Sequence, residues 1–261
     1  RHRKRSEKCS SSTINLSCIH NVGIVLAMPG KDNIIFALDV DSIAKTTPYI
    51  EALHNHVGYF KIGLELMMSS GAPQVVNHIH RMGGQVFFDG KFNDIPFTMG
   101  AAARAVANLG VKMFNVHGSA GKEGIRAAVA NKGSSLLLVV TVLTSIDDSE
   151  SERIFGTIVQ NKVIQFAHDA KEVGADGVIC SPMELEILAQ VPEFKDLLKI
   201  TPGVRPSWAE ADDQKRTMTP SEAVRAGATH IVIGRPISNP PRGIGSPIDA
   251  AKQICSDISA C

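Results

Sequence analysis

Eight short apolar runs, each followed by a stretch of helical or loop character, constrain this 261-residue chain more than any other feature. They read as strands over residues 34–38, 58–62, 85–88, 113–116, 136–143, 177–180, 198–200 and 230–233. The runs are continuous rather than alternating, as expected of parallel strands whose outer face is covered by helices. Between them, residues 98–109, 119–130, 157–173 and 219–226 read as amphipathic helices. Thr219 followed by Pro220 and Glu222 combines an N-cap residue, proline at the first helical position and a capping-box acid. Gly110, Gly174 and Gly227 each stand between a helical stretch and the next strand, where a C-cap glycine belongs. Eight such units in one domain predict an α/β fold, a single-domain (β/α)8 TIM barrel. A doubly wound sheet shares the alternation, but the G-x-G-x-x-G turn that should follow its first strand is missing after Asp39.

In a barrel, the chemistry sits at the C-terminal strand ends. The polar residues at those ends are Asp39, Lys61, Asp89, Lys91, His117, Thr144, Ser145, Arg205, Gly234 and Arg235. Most informative is the stretch Phe88-Asp89-Gly90-Lys91-Phe92-Asn93-Asp94-Ile95-Pro96. Strand alternation would point Asp89 and Lys91 the same way, about 7 Å apart along the backbone. Asp94 follows just before Pro96, which breaks the strand. Charges are costly away from water unless paired or used. A structural ion pair would account for D-x-K-x-x-D alone. Lys61, at the end of the preceding strand, turns it into an alternating array of two cations and two anions, which is what a water-excluding active site needs. His117 is the weakest member, because a lone strand-end histidine is more often structural than catalytic.

The ends of the last two strands suggest an anion. Thr201-Pro202-Gly203-Val204-Arg205 and Gly234-Arg235-Pro236 place glycine and arginine where barrels often hold phosphate. Glycine lets backbone N–H groups approach an anion, and the guanidinium supplies a planar fork of donors. The long polar segment 206–219, with Gln214 inside it, reads as a lid over that anion.

A net charge of +1 gives no electrostatic case for a nucleic-acid partner. No apolar run reaches the roughly 20 residues of a membrane span. Five cysteines without metal-type spacing argue against both a metal centre and a closed disulfide framework, and point to a reducing compartment, the cytoplasm. Residues 1–27 differ from the rest. Arg1-His2-Arg3-Lys4-Arg5 and Ser10-Ser11-Ser12 read as a disordered or non-native leader, a targeting segment or a basic arm, with the barrel expected over residues 28–261.

The chain resembles the orotidine 5′-monophosphate decarboxylase family. The resemblance rests on F-x-D-x-K-x-x-D-I-P-x-T at 87–98, F-K-I-G at 60–63 and V-T-V-L-T-S at 140–145. It continues with T-P-G-V-R-P at 201–206, D-Q-K-R-x-M-T-P at 213–220 and V-I-G-R-P at 232–236. By position, Lys61, Asp89, Lys91 and Asp94 resemble the family's catalytic tetrad, in which the last aspartate acts in the partner subunit's site beside Ile95 and Thr98. The resemblance implies Asp39 at the ribose, Thr144 and Ser145 near the pyrimidine, and Gln214 bridging pyrimidine and phosphate. Gly234 and Arg235 would hold the phosphate, and Arg205 would take part in substrate binding. It implies a homodimer acting on a small-molecule nucleotide. No metal and no cofactor are implied for its reaction, the last step of de novo pyrimidine nucleotide synthesis. Two other readings remain. A magnesium-dependent sugar-phosphate decarboxylase or aldolase on the same barrel resembles this pattern, but with glutamate in place of Lys61. A catalytically dead nucleotide-binding barrel would lack a member of the tetrad.

Overall fold

The computed structural model describes residues 30–209 and 217–261. The leader over 1–27 and residues 210–216 of the expected lid, Gln214 among them, lie outside the described residues. Eight strands close into a barrel in sequential order, all parallel: β1 Ile34–Leu38, β2 Tyr59–Ile62, β3 Val86–Phe92, β4 Met113–His117, β5 Leu136–Val140, β6 Gly177–Ile179, β7 Leu198–Thr201 and β8 His230–Ile233. The (β/α)8 expectation therefore holds. Helices α1 Ile43–Leu53, α2 Leu64–Ser70, α3 Ala72–Arg81, α4 Pro96–Ala107, α5 Gly121–Val129, α6 Asp148–Phe155, α7 Val159–Val173, α8 Leu185–Ala189, α9 Pro220–Arg225, α10 Arg235–Ser238 and α11 Pro247–Ser259 occupy the connections.

Side-chain alternation divides the core in two. On β1, Ile34, Phe36 and Leu38 face the helices, and Ile35 faces the barrel interior. The same parity sends Phe60 and Ile62, Val86 and Phe88, and Phe114 and Val116 outward. Phe87, Met113, Leu138 and Ile200 join Ile35 in the interior plug. Continuing that inward parity towards the C-terminal ends gives Lys61 on β2, Asp89 on β3 and Asn115 on β4. The plug is apolar at the bottom and turns polar at the top, and this arrangement builds a site.

The predicted caps are present. The Thr219 hydroxyl accepts from the Glu222 N–H, and Glu222 reciprocates to the Thr219 N–H. Gly110, Gly174 and Gly227 all take positive φ. Two strand boundaries differ from expectation by more than one residue. β5 was expected over 136–143 but ends at Val140; Val142 and Leu143 are apolar because they wall the cavity described below, not because they pair. β3 runs beyond its expected end at Phe88 to Phe92, with its register to β4 shifting between those two residues.

Gly177 on β6 pairs with Leu198 on β7. A Cβ there would lie 2.5 Å from the Leu198 carbonyl oxygen and 2.6 Å from the Leu198 Cβ. Overpacking against backbone costs about 1–3 kcal/mol. Gly177→Ala should therefore lower the thermal midpoint, by about 2–4 °C per kcal/mol for a domain of this size. An unchanged melting curve by circular dichroism would show that the β6–β7 contact is looser than described.

Candidate active site

Three of the four predicted charged residues meet at the top of the barrel. Asp89 is buried, with Oδ1 2.6 Å from Lys91 Nζ and Oδ2 3.3 Å from Lys61 Nζ. Lys61 Nζ is also 3.3 Å from Asp39 Oδ1, so the charges alternate along Lys91, Asp89, Lys61 and Asp39. Asp39 and Lys91 open towards solvent, whereas the Lys61 side chain is mostly covered. Burial pushes the Asp89 carboxyl up, but the charges of Lys61 and Lys91 and hydrogen bonds from Lys91 and Asn115 outweigh it, so its pKa lies below the ordinary 3.8.

The convergence of Asp89 and Lys91 has a different cause from the simple alternation expected of a regular strand. Lys91 has φ +49°, the only positive value outside glycine among the described residues. With the β3–β4 register shifting between Phe88 and Phe92, the chain bulges at residues 89–91. Asn115 fills the gap. It is fully buried, its Oδ1 accepts from the Lys91 backbone N–H at 2.7 Å, and its Nδ2 donates to Asp89 Oδ1 at 2.7 Å. Sequence reading passed over Asn115 because it lies within the run 113–116; one amide at an inward position of an apolar strand was the signal available.

A cavity of about 240 Å³ opens beside the array. Lys61, Asp89, Lys91 and Thr144 supply its polar wall, and Phe87, Val140, Val142, Leu143, Ile179, Cys180, Pro202 and Val232 its apolar wall. The Cys180 thiol is pushed up to about 12, first by burial and then by Glu184, which fits its reading as a small core residue. His117 is held below its ordinary 6.5 by burial and then by the Lys91 charge, with Asp89 opposing, so it stays neutral at pH 7. Thr144 and Ser145 lie in an exposed turn after β5, and Thr144 reaches the cavity. Gly234 stands at the β8 end, where a Cβ would meet Asp39 Oδ2 at 3.4 Å; the first and last strand ends therefore adjoin. Arg235 follows it, exposed, at the start of α10. Arg205 is buried, and its N–H donates to the Met218 carbonyl, tying the two sides of the segment expected to be a lid. A larger groove of about 440 Å³, lined by Ile43, Gln74, Asn77, His78 and Arg81, lies among α1 and α3, outside the strand-end chemistry.

Asp94 does not join the array. Its Oδ1 accepts from the Ile95 N–H, and among the described residues no cation lies within 4 Å of it. Residues 93–98 are all exposed, including Ile95 and Thr98. No group of three or more His, Cys, Asp or Glu side chains among the described residues is arranged to hold a metal ion. No described helix is long and apolar enough to cross a membrane.

The model of the orotidine 5′-phosphate decarboxylase / HUMPS family matches residues 32–251. A protein of Moorella thermoacetica named orotidine 5′-phosphate decarboxylase is 40% identical over 247 residues, covering 90% of this chain and 95% of its own length. One of the same name from Syntrophomonas wolfei is 41% identical over 245 residues, covering 88% and 99%. The crystal structure of orotidine 5′-phosphate decarboxylase from Lactobacillus acidophilus superposes with a TM-score of 0.73 at 33% identity, over 86% of this chain and 98% of that one. The chain belongs to the orotidine 5′-phosphate decarboxylase / HUMPS family.

The Asp89 geometry sets a pH dependence of stability. A folded-state pKa below 3.8 means that the ionised carboxylate stabilises fully above about pH 5, with the contribution lost as pH falls through 3.8 into the lowered range. Asp89→Asn should destabilise the protein at pH 7 by about 3 kcal/mol, the lower end for breaking a buried pair. The gap from wild type should narrow as the pH falls below 4. Urea titrations at pH 7, 5 and 3 measure it, and a gap that is constant or grows towards acid would contradict the assigned ion pairs.

Proposed function

We propose that the cavity decarboxylates orotidine 5′-monophosphate to uridine 5′-monophosphate, the last step of de novo pyrimidine nucleotide synthesis. The observation that carries this reading is the buried Asp89 carboxylate held between two ammonium groups, Lys61 and Lys91, both lining an apolar-walled cavity. A volume of about 240 Å³ suits one pyrimidine ring. Asp39, beside Gly234, then takes the ribose, and Gly234 and Arg235 take the phosphate. Thr144 and Ser145 serve the pyrimidine, and Arg205 and Gln214 serve substrate binding.

In the reaction, the bond from C6 to the carboxylate carbon breaks, CO2 leaves and the electron pair stays on C6 in the ring plane. No neighbouring π system can spread that charge. A fixed cation next to C6 stabilises what exists only in the transition state and intermediate. Lys91 supplies that cation, then gives its proton to C6 and regains one from solvent after product leaves. Asp89 holds the Lys91 ammonium in place through one carboxylate oxygen while Lys61 holds the other, and Asp94 of the partner subunit adds to the orientation of Lys91. Contacts to the distant phosphate contribute binding energy to closure over the ring.

The reading needs neither metal nor cofactor. A metal bridging two carboxylates would occupy the place where Lys61 Nζ stands between Asp39 and Asp89, and two positive charges there would repel. It also needs a second subunit. Ile95 is 66% exposed and Phe97 86%, next to Asp94, and Leu64 and Met68 on α2 are also exposed; apolar side chains of that size on the connections after β2 and β3 support a homodimer in which Asp94 completes the partner's array. The free thiols of Cys180, Cys255 and Cys261 support a reducing, cytoplasmic setting. Nucleic acid and membrane play no part.

The direct test is absorbance of orotidine 5′-monophosphate with protein and EDTA. Decarboxylation should proceed unchanged in the chelator, and Lys91→Ala should lose more than the roughly 10²–10⁴-fold typical of general acid–base catalysis, because charge stabilisation goes too. Activity that vanishes in EDTA and returns with magnesium would favour the sugar-phosphate chemistry of the metal-using barrels instead.

Sharing of Asp94 has its own test. Lys91→Ala and Asp94→Ala should each be nearly inactive. After subunit exchange, about half the dimers are mixed, and in each one site carries both defects and the other neither, so activity should return to about a quarter of wild type. No recovery, with exchange confirmed by tagged subunits, would mean that Asp94 acts within its own chain.

A further inference from the structure

We propose that Asn115 is a positioning residue for the reaction: its single amide holds both the backbone that carries Lys91 and the carboxylate that faces it. This rests on the reading of Lys91 and Asp89 above.

The need for such a residue follows from the bulge. A non-glycine residue at φ +49° is strained on the order of 1–3 kcal/mol and persists only where its surroundings over-determine it. The regular β3–β4 ladder does not do so, since its register shifts between Phe88 and Phe92, on either side of Lys91. The Lys91 N–H is instead held by Asn115 Oδ1 at 2.7 Å. The other end of the same amide donates to Asp89 Oδ1 at 2.7 Å, the oxygen that also accepts from Lys91 Nζ at 2.6 Å. A closed ring results: Asn115 to the Lys91 backbone, along the Lys91 side chain to Asp89, and back to Asn115.

The chemistry of the amide matters. The Lys91 N–H requires an acceptor, and the Asp89 carboxylate requires a donor. An ionised carboxylate in place of the amide would meet Asp89 with like charge, a hydroxyl is too short to reach both, and an apolar chain would leave both partners unpaired. Asn115 is fully buried, so solvent does not replace a lost bond. Its site is otherwise an apolar strand, with Met113 in the interior plug and Phe114 and Val116 packed against the helices. Nothing in that packing calls for an amide. The two polar contacts do.

Without the amide, the Lys91 backbone is free to relax towards ordinary φ, and its ammonium moves relative to the reacting carbon. A displacement of about 1 Å is enough to cost about a hundredfold in rate. The residues proposed for ribose and phosphate, Asp39, Gly234 and Arg235, follow β1 and β8 and are untouched. Asn115→Ala should therefore lower kcat by about 10²–10³-fold and leave the affinity for uridine 5′-monophosphate, measured calorimetrically, within about threefold of wild type. Asn115→Asp adds a signature that a merely structural role would not produce. The introduced carboxyl, buried beside Asp89, has a raised pKa. Protonated, it accepts from the Lys91 N–H and donates to Asp89 as the amide does; ionised, it repels Asp89. Its kcat relative to wild type should rise as the pH is lowered from 8 to 5.

The inference is overturned by any of three results: Asn115→Ala with kcat within threefold of wild type, parallel loss of kcat and nucleotide affinity, or an Asn115→Asp ratio that is flat with pH. If Asn115→Ala does not fold, the Asn115→Asp ratio decides alone. Lys91→Ala measured alongside separates the two levels. An active Lys91→Ala enzyme would overturn the catalytic assignment itself, whereas an inactive one beside a normal Asn115→Ala enzyme would overturn only the role of Asn115.

Discussion

The ion pairs of Asp89 are the interaction on which the top of the barrel depends. Burial alone would push the carboxyl of Asp89 towards its protonated form, and the charges of Lys61 and Lys91 outweigh that. The two ammonium groups hold Asp89 ionised. Oδ1 is committed to Lys91 and Asn115, and Oδ2 to Lys61, so the carboxylate is also fixed in rotation. Such an arrangement adds little net stability, because desolvation offsets most of the Coulombic gain. Its value lies in geometry, since it keeps a charged, aimed ammonium at the edge of an apolar cavity.

The barrel places Asp89, Lys61 and Asn115 through parity, and the bulge at residues 89–91 brings Lys91 to them. Alternate residues of each strand point inward, so the layer above Ile35, Phe87, Met113 and Leu138 is filled by whatever stands two positions further along. On β3 and β4 those residues are Asp89 and Asn115; on β2, Lys61 follows Tyr59 in the same way. Parallel strands bring neighbouring ends to similar heights, and charges from three segments of sequence become neighbours. The apolar plug beneath keeps water from reaching them from below.

This logic made much of the protein legible in its sequence. Parallel strands sheathed by helices read as continuous apolar runs, so all eight were visible, and the capping box at Thr219 and the glycine steps marked helix ends. Charged residues at strand ends were equally plain. Less visible were features that depend on how two strands pair. Residues 136–143 look like one long strand because the apolar wall of a cavity and the apolar face of a ladder have the same composition; only pairing separates Val140 from Val142. The left-handed Lys91 is invisible in D-G-K, where the glycine would have been the natural choice for positive φ. Asn115 was read as part of its strand because one polar residue among apolar ones does not disturb the pattern. Helix α1 contains Pro48, which would normally argue against a continuous helix there.

The exposed stretch after β3 completes the physical picture. From Asn93 to Thr98 the chain leaves the barrel and starts α4 without burying a side chain, although Met99 and Gly100 are already fully packed. A helix start that presents isoleucine and phenylalanine to solvent beside an aspartate is unfavourable in a lone subunit, because apolar surface on that scale belongs against another surface. It becomes favourable once a second copy covers it. The same burial would bring Asp94 into a site whose four charges in this chain, Lys91, Asp89, Lys61 and Asp39, already balance. A further negative charge there would attract the ammonium groups of the array across the interface. Association would then do more than hide apolar surface: by the proposed sharing of Asp94, it would also complete the charge array around the ammonium that the proposed reaction uses.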